Sequence, residues 1–324
     1  MKLVSVVMSA FNAELYIREA IDSIICQTYS KFEFIIIDDG STDNTKKIIE
    51  SYDDKRIRFI SNSKNKGLIY SLNFAVNISN GEYIIRMDAD DIALPDRIKK
   101  QVNYMESNNE ILVSGGNAIF FSGDKILRQT SLPITHDDIK NLSFVQSPFI
   151  HPTVIIRKSV FEKYCYEEKY LGAEDYALWV NVIADGLVAN LNDILIKYRV
   201  LETSVTRVEE RNLLRRYDII NSIHRLLLIK YKIDKVDSKV LTLLSNINFS
   251  KIKEKQLLSS YMSKNLEEIF TCYKDVRLKS LLCKRYFLYC IASRSVDINW
   301  MSFIGFWSFI NELMLKGLKC HTKK

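Results

Sequence analysis

The acidic run Asp88-Ala89-Asp90-Asp91 follows directly on the apolar stretch Tyr83–Met87. Carboxylates this close repel one another unless a cation neutralises them. An oxygen-only donor set favours Mg2+ or Mn2+, held by one or two carboxylates while substrate phosphates supply further ligands. The same run also reads as a solvated acidic turn ahead of a helix that opens near Pro95. Asp38-Asp39-Gly40-Ser41 is a second polar set behind an apolar run; a carboxylate there can accept from a base N–H or a ribose hydroxyl, or simply cap a turn. Ser9-Ala10-Phe11-Asn12 offers an aromatic ring and backbone groups to flank a nucleobase, or an ordinary strand-to-helix turn. Lys64-Asn65-Lys66-Gly67 brings cations and a glycine near phosphates, or forms a solvated loop. Glu174-Asp175 offers a general base for a hydroxyl, or two acids satisfying a helix dipole. His151 stands alone, with an acceptor-side and a structural reading both open. The absence of a Walker A motif and of GxGxxG argues against a P-loop nucleotidase or a dinucleotide dehydrogenase.

The elements that carry these groups alternate. Lys2–Ala10, Phe32–Ile37, Ile57–Ile60 and Tyr83–Met87 are apolar, β-branched runs, expected as buried strands. Between them lie helical patterns: Glu14–Gln27, a helix from the Ser41-Thr42-Asp43 cap to about Tyr52, one carrying Leu68, Leu72, Ala75 and Val76, and one from Pro95 to about Asn108. Unbroken apolar strands separated by amphipathic helices predict an α/β fold, a mostly parallel sheet covered on both faces. The polar sets then gather at the carboxyl ends of the strands, the edge at which open α/β sheets bind ligands. Farther on, Ile111–Asn117 reads as a strand, Ala118–Gln129 as a hairpin about Ser122-Gly123-Asp124, and His136–Phe144 as a polar helix. Glu174–Ala184 is an amphipathic helix whose Trp179 is assigned to the core, and Ile194–Val200 a last strand; from about Glu209 the chain reads as helical and basic.

Composition is that of a globular protein of 324 residues, 47% hydrophobic and 26% charged, which excludes a disordered or collagen-like chain. Charge is uneven: residues 1–199 hold 23 Lys/Arg against 27 Asp/Glu, residues 200–324 hold 23 against 12. A basic C-terminal module beside an acidic one is expected. The six cysteines, Cys26, Cys165, Cys272, Cys283, Cys290 and Cys320, show no zinc-like spacing. They are expected as reduced, mostly buried thiols in a cytosolic compartment. The apolar run after Lys2 is short for a signal peptide and is read as the first strand. No segment reaches the ~18 consecutive apolar residues of a spanning helix.

In combination, several stretches resemble a family 2 glycosyltransferase of the GT-A fold. They are VSVVMSAFN (Val4–Asn12), FIIIDDGST (Phe34–Thr42), Asn65-Lys66-Gly67, YIIRMDADDIALPDR (Tyr83–Arg97) and EDYALW (Glu174–Trp179). The resemblance implies a GT-A catalytic domain over residues 1–205 and a separate helical, basic region over 206–324. It implies that Ser9, Phe11, Asn12 and Asp39 contact the nucleoside of a nucleotide-sugar donor, with Asn65 and Gly67 close by. It implies that Asp88 lies near the ribose, that Asp90 binds a divalent metal (Mn2+ or Mg2+), that Asp175 is the catalytic base and that Glu174 helps to position the acceptor. Transfer with inversion by direct displacement follows, from a donor expected to be UDP-linked to a saccharide or lipid-linked saccharide, in bacterial surface-polysaccharide assembly.

Two departures bear on this expectation. Leu201 stands where related enzymes often carry a histidine, which leaves a third protein ligand without a candidate. The Gln-x-x-Arg-Trp motif of processive members is absent, which favours single-sugar transfer. Rival readings are a catalytically silent nucleotide-sugar-binding module and a nucleotidyltransferase, though the latter normally has a Gly-rich loop after its first strand. In the C-terminal region, Arg277–Arg294 and Trp300–Leu315 mix basic with aromatic and aliphatic residues. That pattern reads either as a packed helical subdomain or as a surface meeting anionic lipid on the inner face of a cell membrane. No nucleic-acid partner is expected.

Overall fold

The computed structural model describes residues 1–201, 212–246, 248, 259–273 and 275–293. The chain divides into two compact units, one built from residues 1–139 and 147–201, the other from residues 140–146 and the described residues from 212 onward.

In the first unit, β1 (Val4–Ala10), β2 (Phe32–Asp38), β3 (Ile57–Ser61) and β4 (Tyr83–Asp88) alternate with α1 (Ile17–Ile25), α2 (Thr45–Glu50) and α3 (Leu68–Asn77). β1 pairs in parallel with β2 and β4, and β2 in parallel with β3. The reason for the continuous apolar runs is visible in the packing. Val4, Val6 and Met8 of β1 lie on one side with Ile17, Ile21 and Ile24 of α1. Val7 of the same strand lies with Ile35, Ile37 and Ile84 on the other side, against Ala75 and Val76 of α3. A strand buried on both faces has no polar position to alternate with.

Beyond β4 the sheet becomes mixed. After β5 (Ile92–Ala93) and α4 (Arg97–Ser107) come β6 (Ile111–Ser122) and β7 (Lys125–Gln129), which form the expected hairpin. α5 (His136–Leu142), β8 (Ile155–Arg157), α6 (Glu174–Asp185) and β9 (Leu187–Arg199) complete the unit. β8 runs antiparallel between β4 and β6, β6 is parallel to β9, and β5 is antiparallel to β9. The nine-stranded sheet has the order β3-β2-β1-β4-β8-β6-β9-β5, with β7 on β6. Two strands are longer than expected. β6 continues past Asn117 to Ser122, and β9 starts at Leu187 rather than Ile194. Asparagines obscured both. Asn117 and Asn190 are buried, yet their side chains are held by backbone: Asn117 Oδ1 accepts from Leu132 N (2.8 Å), and Asn190 Nδ2 donates to Pro133 O (2.8 Å).

In the second unit, α7 (Leu213–Lys230) and α8 (Ser238–Ser245) bury Tyr217, Ile220, Ile223 and Leu227 with Val240, Leu241 and Leu244. His224 is buried among them; its Nδ1 lies 2.9 Å from Thr242 Oγ1, and burial pushes its pKa down to about 3. α9 (Ser259–Cys272) and α10 (Val276–Ser293) add Leu266, Ile269, Leu278 and Leu282 to the buried set. Phe144, from the short segment that joins this unit, stacks on Tyr231 at 5.5 Å. The expected boundary at 205/206, Glu202, Arg294 and the aromatic stretch from Trp300 to Leu315 lie outside the described residues. The cysteine expectation needs correction: Cys26, Cys165 and Cys272 are exposed, and of the four cysteines with described side chains only Cys283 is buried. Among the described residues no helix is long and apolar enough to cross a membrane.

Candidate functional site

The first unit holds a cavity of about 810 Å3. Ser9, Phe11, Asn12, Asp39, Asn65, Gly67, Asp88, Asp90, Glu174 and Asp175, the residues to which the resemblance gives a role, lie on its wall, whereas Asp38, Ser41, Lys64, Lys66 and Asp91 do not. The strand order explains the gathering. β1, β2 and β4 are parallel neighbours in register, with Ala10 opposite Asp38 and Ser9 opposite Asp88, so their polar ends arrive on one edge.

One wall is built of loops that bind one another. Asp39, 2% exposed, accepts from Asn62 Nδ2 (2.8 Å), Lys66 N (3.0 Å) and Gly67 N (2.8 Å). Gly40 has φ +75°, and a Cβ there would meet Lys64 C at 2.5 Å, so only glycine lets the two loops approach. Asn12 donates its backbone N–H to Ser41 Oγ (2.9 Å) and accepts from Thr42 N (2.9 Å). Phe11 leaves 47% of its surface open at the rim.

The acidic run does not present all its carboxylates alike. Asp88 lines the cavity in an ion pair with Arg86. Asp90 also lines it, and burial together with the charge of Asp88 pushes its pKa up to about 6. Asp91 differs from the other two acids of the run, because it is 1% exposed and does not line the cavity. Its Oδ1 accepts from Arg199 N (2.8 Å), its Oδ2 has no hydrogen-bond partner among the described residues, and burial raises its pKa well above the usual range. Arg199 holds the run in place, donating Nε–H to Asp90 O (2.8 Å) with its guanidinium over the rings of Tyr16 and Phe121. Beneath, the buried Arg97 donates to Arg86 O (2.8 Å) and fixes the end of β4.

Across the cavity, α6 opens with the acid pair. Glu174 is 6% exposed and accepts from Gly172 N (2.8 Å); burial and Asp175 push its pKa up to about 7. Asp175 lines the cavity and accepts from Ser147 Oγ (3.2 Å). Burial raises its pKa, while the Tyr176 N–H, Ser147, Arg86 and Trp179 work in the opposite direction. Trp179 is core as expected, fully buried and edge-on to Phe149 at 5.3 Å. His151 lies on the cavity wall with Nε2 2.9 Å from Tyr166 Oη, so its two readings meet in one place. Burial and Arg86 hold it neutral.

Sequence reading missed Arg86 and Arg199. Arg86 was visible as a charge inside an otherwise apolar strand, a position that demands a partner. Arg199 carried no local signal, because its partners lie far away in the chain. The donor set fits a divalent cation completed by substrate phosphates. Asp90 presents to the cavity a carboxylate raised in pKa by burial and by the charge of Asp88, and no group of three or more His, Cys, Asp or Glu forms a closed metal cage among the described residues. Leu201 lines the cavity, so that position brings no further ligand.

Residues 5–165 match the family described as Glycosyl transferase family 2. The chain is 42% identical to an uncharacterized glycosyltransferase of Haemophilus influenzae over 61% of its own length and 65% of that protein's, so it spans less than two thirds of that relative. It is 31% identical to an Escherichia coli protein, UDP-Glc:alpha-D-GlcNAc-diphosphoundecaprenol beta-1,3-glucosyltransferase WfaP, over 71% of this chain and 92% of that one. The fold is similar to that of S. aureus TarS 1-349 solved in complex with UDP, with a TM-score of 0.59 over 91% of this chain and 89% of the other at 19% identity. The mixed sheet, its helices and these likenesses make the fold α/β GT-A, and the chain belongs to glycosyltransferase family 2.

Proposed function

We propose that the protein transfers one sugar, with inversion, from a nucleotide-linked donor to a hydroxyl of a saccharide or lipid-linked saccharide during assembly of a cell-surface polysaccharide. The observation that carries the reading is one cavity lined both by tied loops at the ends of β1 and β2 and by the acid pair at the start of α6. The donor is read as UDP-linked and the acceptor as lipid-linked by similarity to the E. coli relative, whose name specifies UDP-Glc and a diphosphoundecaprenol-linked acceptor. Attachment to the inner face of the membrane through the basic region after residue 206 would bring such an acceptor within reach.

In this reading Ser9, Phe11, Asn12 and Asp39 bind the nucleoside, Asn65 and Gly67 frame the approach to the phosphates, and Asp88 lies by the ribose. Asp90 would hold Mn2+ or Mg2+, which when bound supplies charge neutralisation on the departing diphosphate. Asp175 takes the proton of the acceptor hydroxyl as its oxygen forms the bond to the anomeric carbon. The bond from that carbon to the phosphate oxygen breaks, and the nucleoside diphosphate leaves with the electron pair. Glu174, held by Gly172 N, fixes the acceptor beside the base. No protein nucleophile is needed for such a displacement.

The test is a panel of nucleotide-sugars measured for binding by calorimetry and for hydrolysis, each with Mn2+ and with chelator. The expected outcome is metal-dependent binding of a UDP-sugar and slow metal-dependent release of UDP. Binding with no hydrolysis or transfer would turn the assignment to a silent sugar-nucleotide-binding module. Release of pyrophosphate from a nucleoside triphosphate would turn it to a nucleotidyltransferase.

A further inference from the structure

His151 carries two ring nitrogens, and only one of them has a partner. Nε2 lies 2.9 Å from the Tyr166 hydroxyl, whereas Nδ1 has no hydrogen-bond partner among the described residues, yet is not shut off from solvent. The half-buried ring lines the cavity. The Tyr166 hydroxyl decides which nitrogen bears the hydrogen. Tyr166 is buried, and its hydroxyl has no other partner among the described residues, so the hydroxyl hydrogen has one acceptor within reach, Nε2. A buried hydroxyl whose hydrogen points at nothing is costly. Nε2 therefore accepts, and the neutral ring carries its own hydrogen on Nδ1. His151 is then a donor on the cavity wall with nothing to donate to.

The donor is also held still. Tyr166 is tied to α3 by both its backbone groups: its N–H donates to Asn73 Oδ1 (3.1 Å), and its carbonyl accepts from Asn73 Nδ2 (2.8 Å). The His151 ring lies 5.3 Å from the Tyr166 ring and edge-on to Trp179 at 5.9 Å. Its place along the chain matters as well. Residues 147–154 span from the base-bearing helix to the sheet. Ser147 Oγ donates to Asp175 (3.2 Å), Phe149 packs on Trp179 of α6, and Val154 O accepts from Arg86 N of β4 (3.3 Å). His151 stands between these two anchorages.

We propose that His151 Nδ1 donates a hydrogen bond to a hydroxyl oxygen of the sugar carried by the nucleotide, and so helps to select that sugar. The inference rests on the reading of the cavity as a nucleotide-sugar site. In that reading the diphosphate lies by Asp88 and Asp90 and the base is Asp175, so the sugar in transit lies between them, where residues 147–154 pass. The chemistry matches: a neutral ring offers one fixed N–H to a neutral hydroxyl, while the charged diphosphate is left to the metal. A wall that donates to a substrate hydroxyl also rejects a sugar lacking it, because its own N–H would be left unpaired.

The first test reads the ring itself. Nitrogen NMR of histidine-labelled full-length protein at neutral pH, with the His151 signals identified by their loss in H151N, should show the hydrogen on Nδ1. A ring protonated on Nε2 overturns the proposal, and this measurement needs no ligand. The second test is calorimetry with Mn2+ of UDP, UDP-glucose and UDP-N-acetylglucosamine, without acceptor. The ratio of the UDP dissociation constant to that of the tighter UDP-sugar should fall roughly three- to tenfold in H151L, the worth of one neutral hydrogen bond. In H151N, whose amide N–H stands close to where Nδ1 stood, it should remain near the wild-type value. A structural role would weaken UDP and UDP-sugar alike, and a contact to the acceptor would leave both unmoved. Either leaves the ratio unchanged in a folded H151L and overturns the proposal alone. A wild type that binds neither UDP nor a UDP-sugar overturns the nucleotide-sugar reading itself.

Discussion

At the scale of single residues, the two acids at the start of α6 are set apart by their surroundings. Burial raises both, but Asp175 accepts from Ser147 Oγ as well as the Tyr176 N–H, whereas Glu174, held by Gly172 N, also feels the like charge of Asp175. D175N should therefore bind donor as tightly as the wild type while turnover falls roughly 10²–10⁴-fold, the usual worth of a positioned base. An equal loss of donor affinity would make Asp175 structural. Glu174 yields a stability prediction. Its folded pKa near 7 lies above the roughly 4.3 of a free glutamate. The folded state thus holds the proton more tightly, and this contribution is complete below about pH 4 and lost as pH rises through the folded value. The thermal midpoint of the wild type should fall relative to that of E174Q between pH 5 and 8; parallel curves would place the ionisation elsewhere. Asp90 should give a third result, with D90N and chelation each abolishing metal-dependent release of UDP while D90N leaves the unfolding midpoint nearly unchanged. Full activity of D90N would remove it from the metal-holding role.

At the scale of elements, how much could be read in advance followed from how each strand is covered. β1, β2 and β4 are enclosed on both faces by apolar neighbours and wrote continuous apolar runs, so their ends, and the polar groups placed there, were legible. β9 departs from that pattern, since its buried Asn190 is held through Nδ2 by the distant Pro133 carbonyl, and half of it was invisible. Arg86 stood in plain view inside a legible strand and was passed over because periodicity describes burial and not charge. The excursion of residues 140–146 into the second unit depends on contacts such as Phe144 with Tyr231, which no local pattern encodes. The glycine turn after β2 is the most exacting junction. Gly40→Ala should destabilise the protein by more than 1 kcal/mol, on the order of a positive-φ strain plus a backbone clash. Chemical denaturation would measure it, and a neutral outcome would mean that the loop of residues 62–67 yields easily.

At the scale of the whole molecule, the two units carry opposite charge tendencies, and residues 200–324 hold the basic excess. In α10, Leu278, Leu282, Tyr286 and Tyr289 are buried, and Arg285 donates to Gln146 Oε1 (2.9 Å), so this helix behaves as part of a packed bundle. A membrane-binding surface, if the protein has one, must draw on other basic and apolar residues, at about 1 kcal/mol per Lys or Arg near an anionic surface. Sedimentation with anionic vesicles at low salt, lost at high salt and with neutral lipid, is the expected result. A full-length protein that stays in the supernatant under every condition would remove the membrane reading. The tied loops beside β1 and β2 have a different consequence. Three backbone or side-chain N–H groups converge on Asp39, and Asn12 is latched to Ser41 and Thr42. A nucleoside reaching this wall meets a surface that has little motion left to surrender. UDP binding should therefore carry a small entropic penalty, and the amides of Lys66 and Gly67 should resist hydrogen exchange before any nucleotide is added.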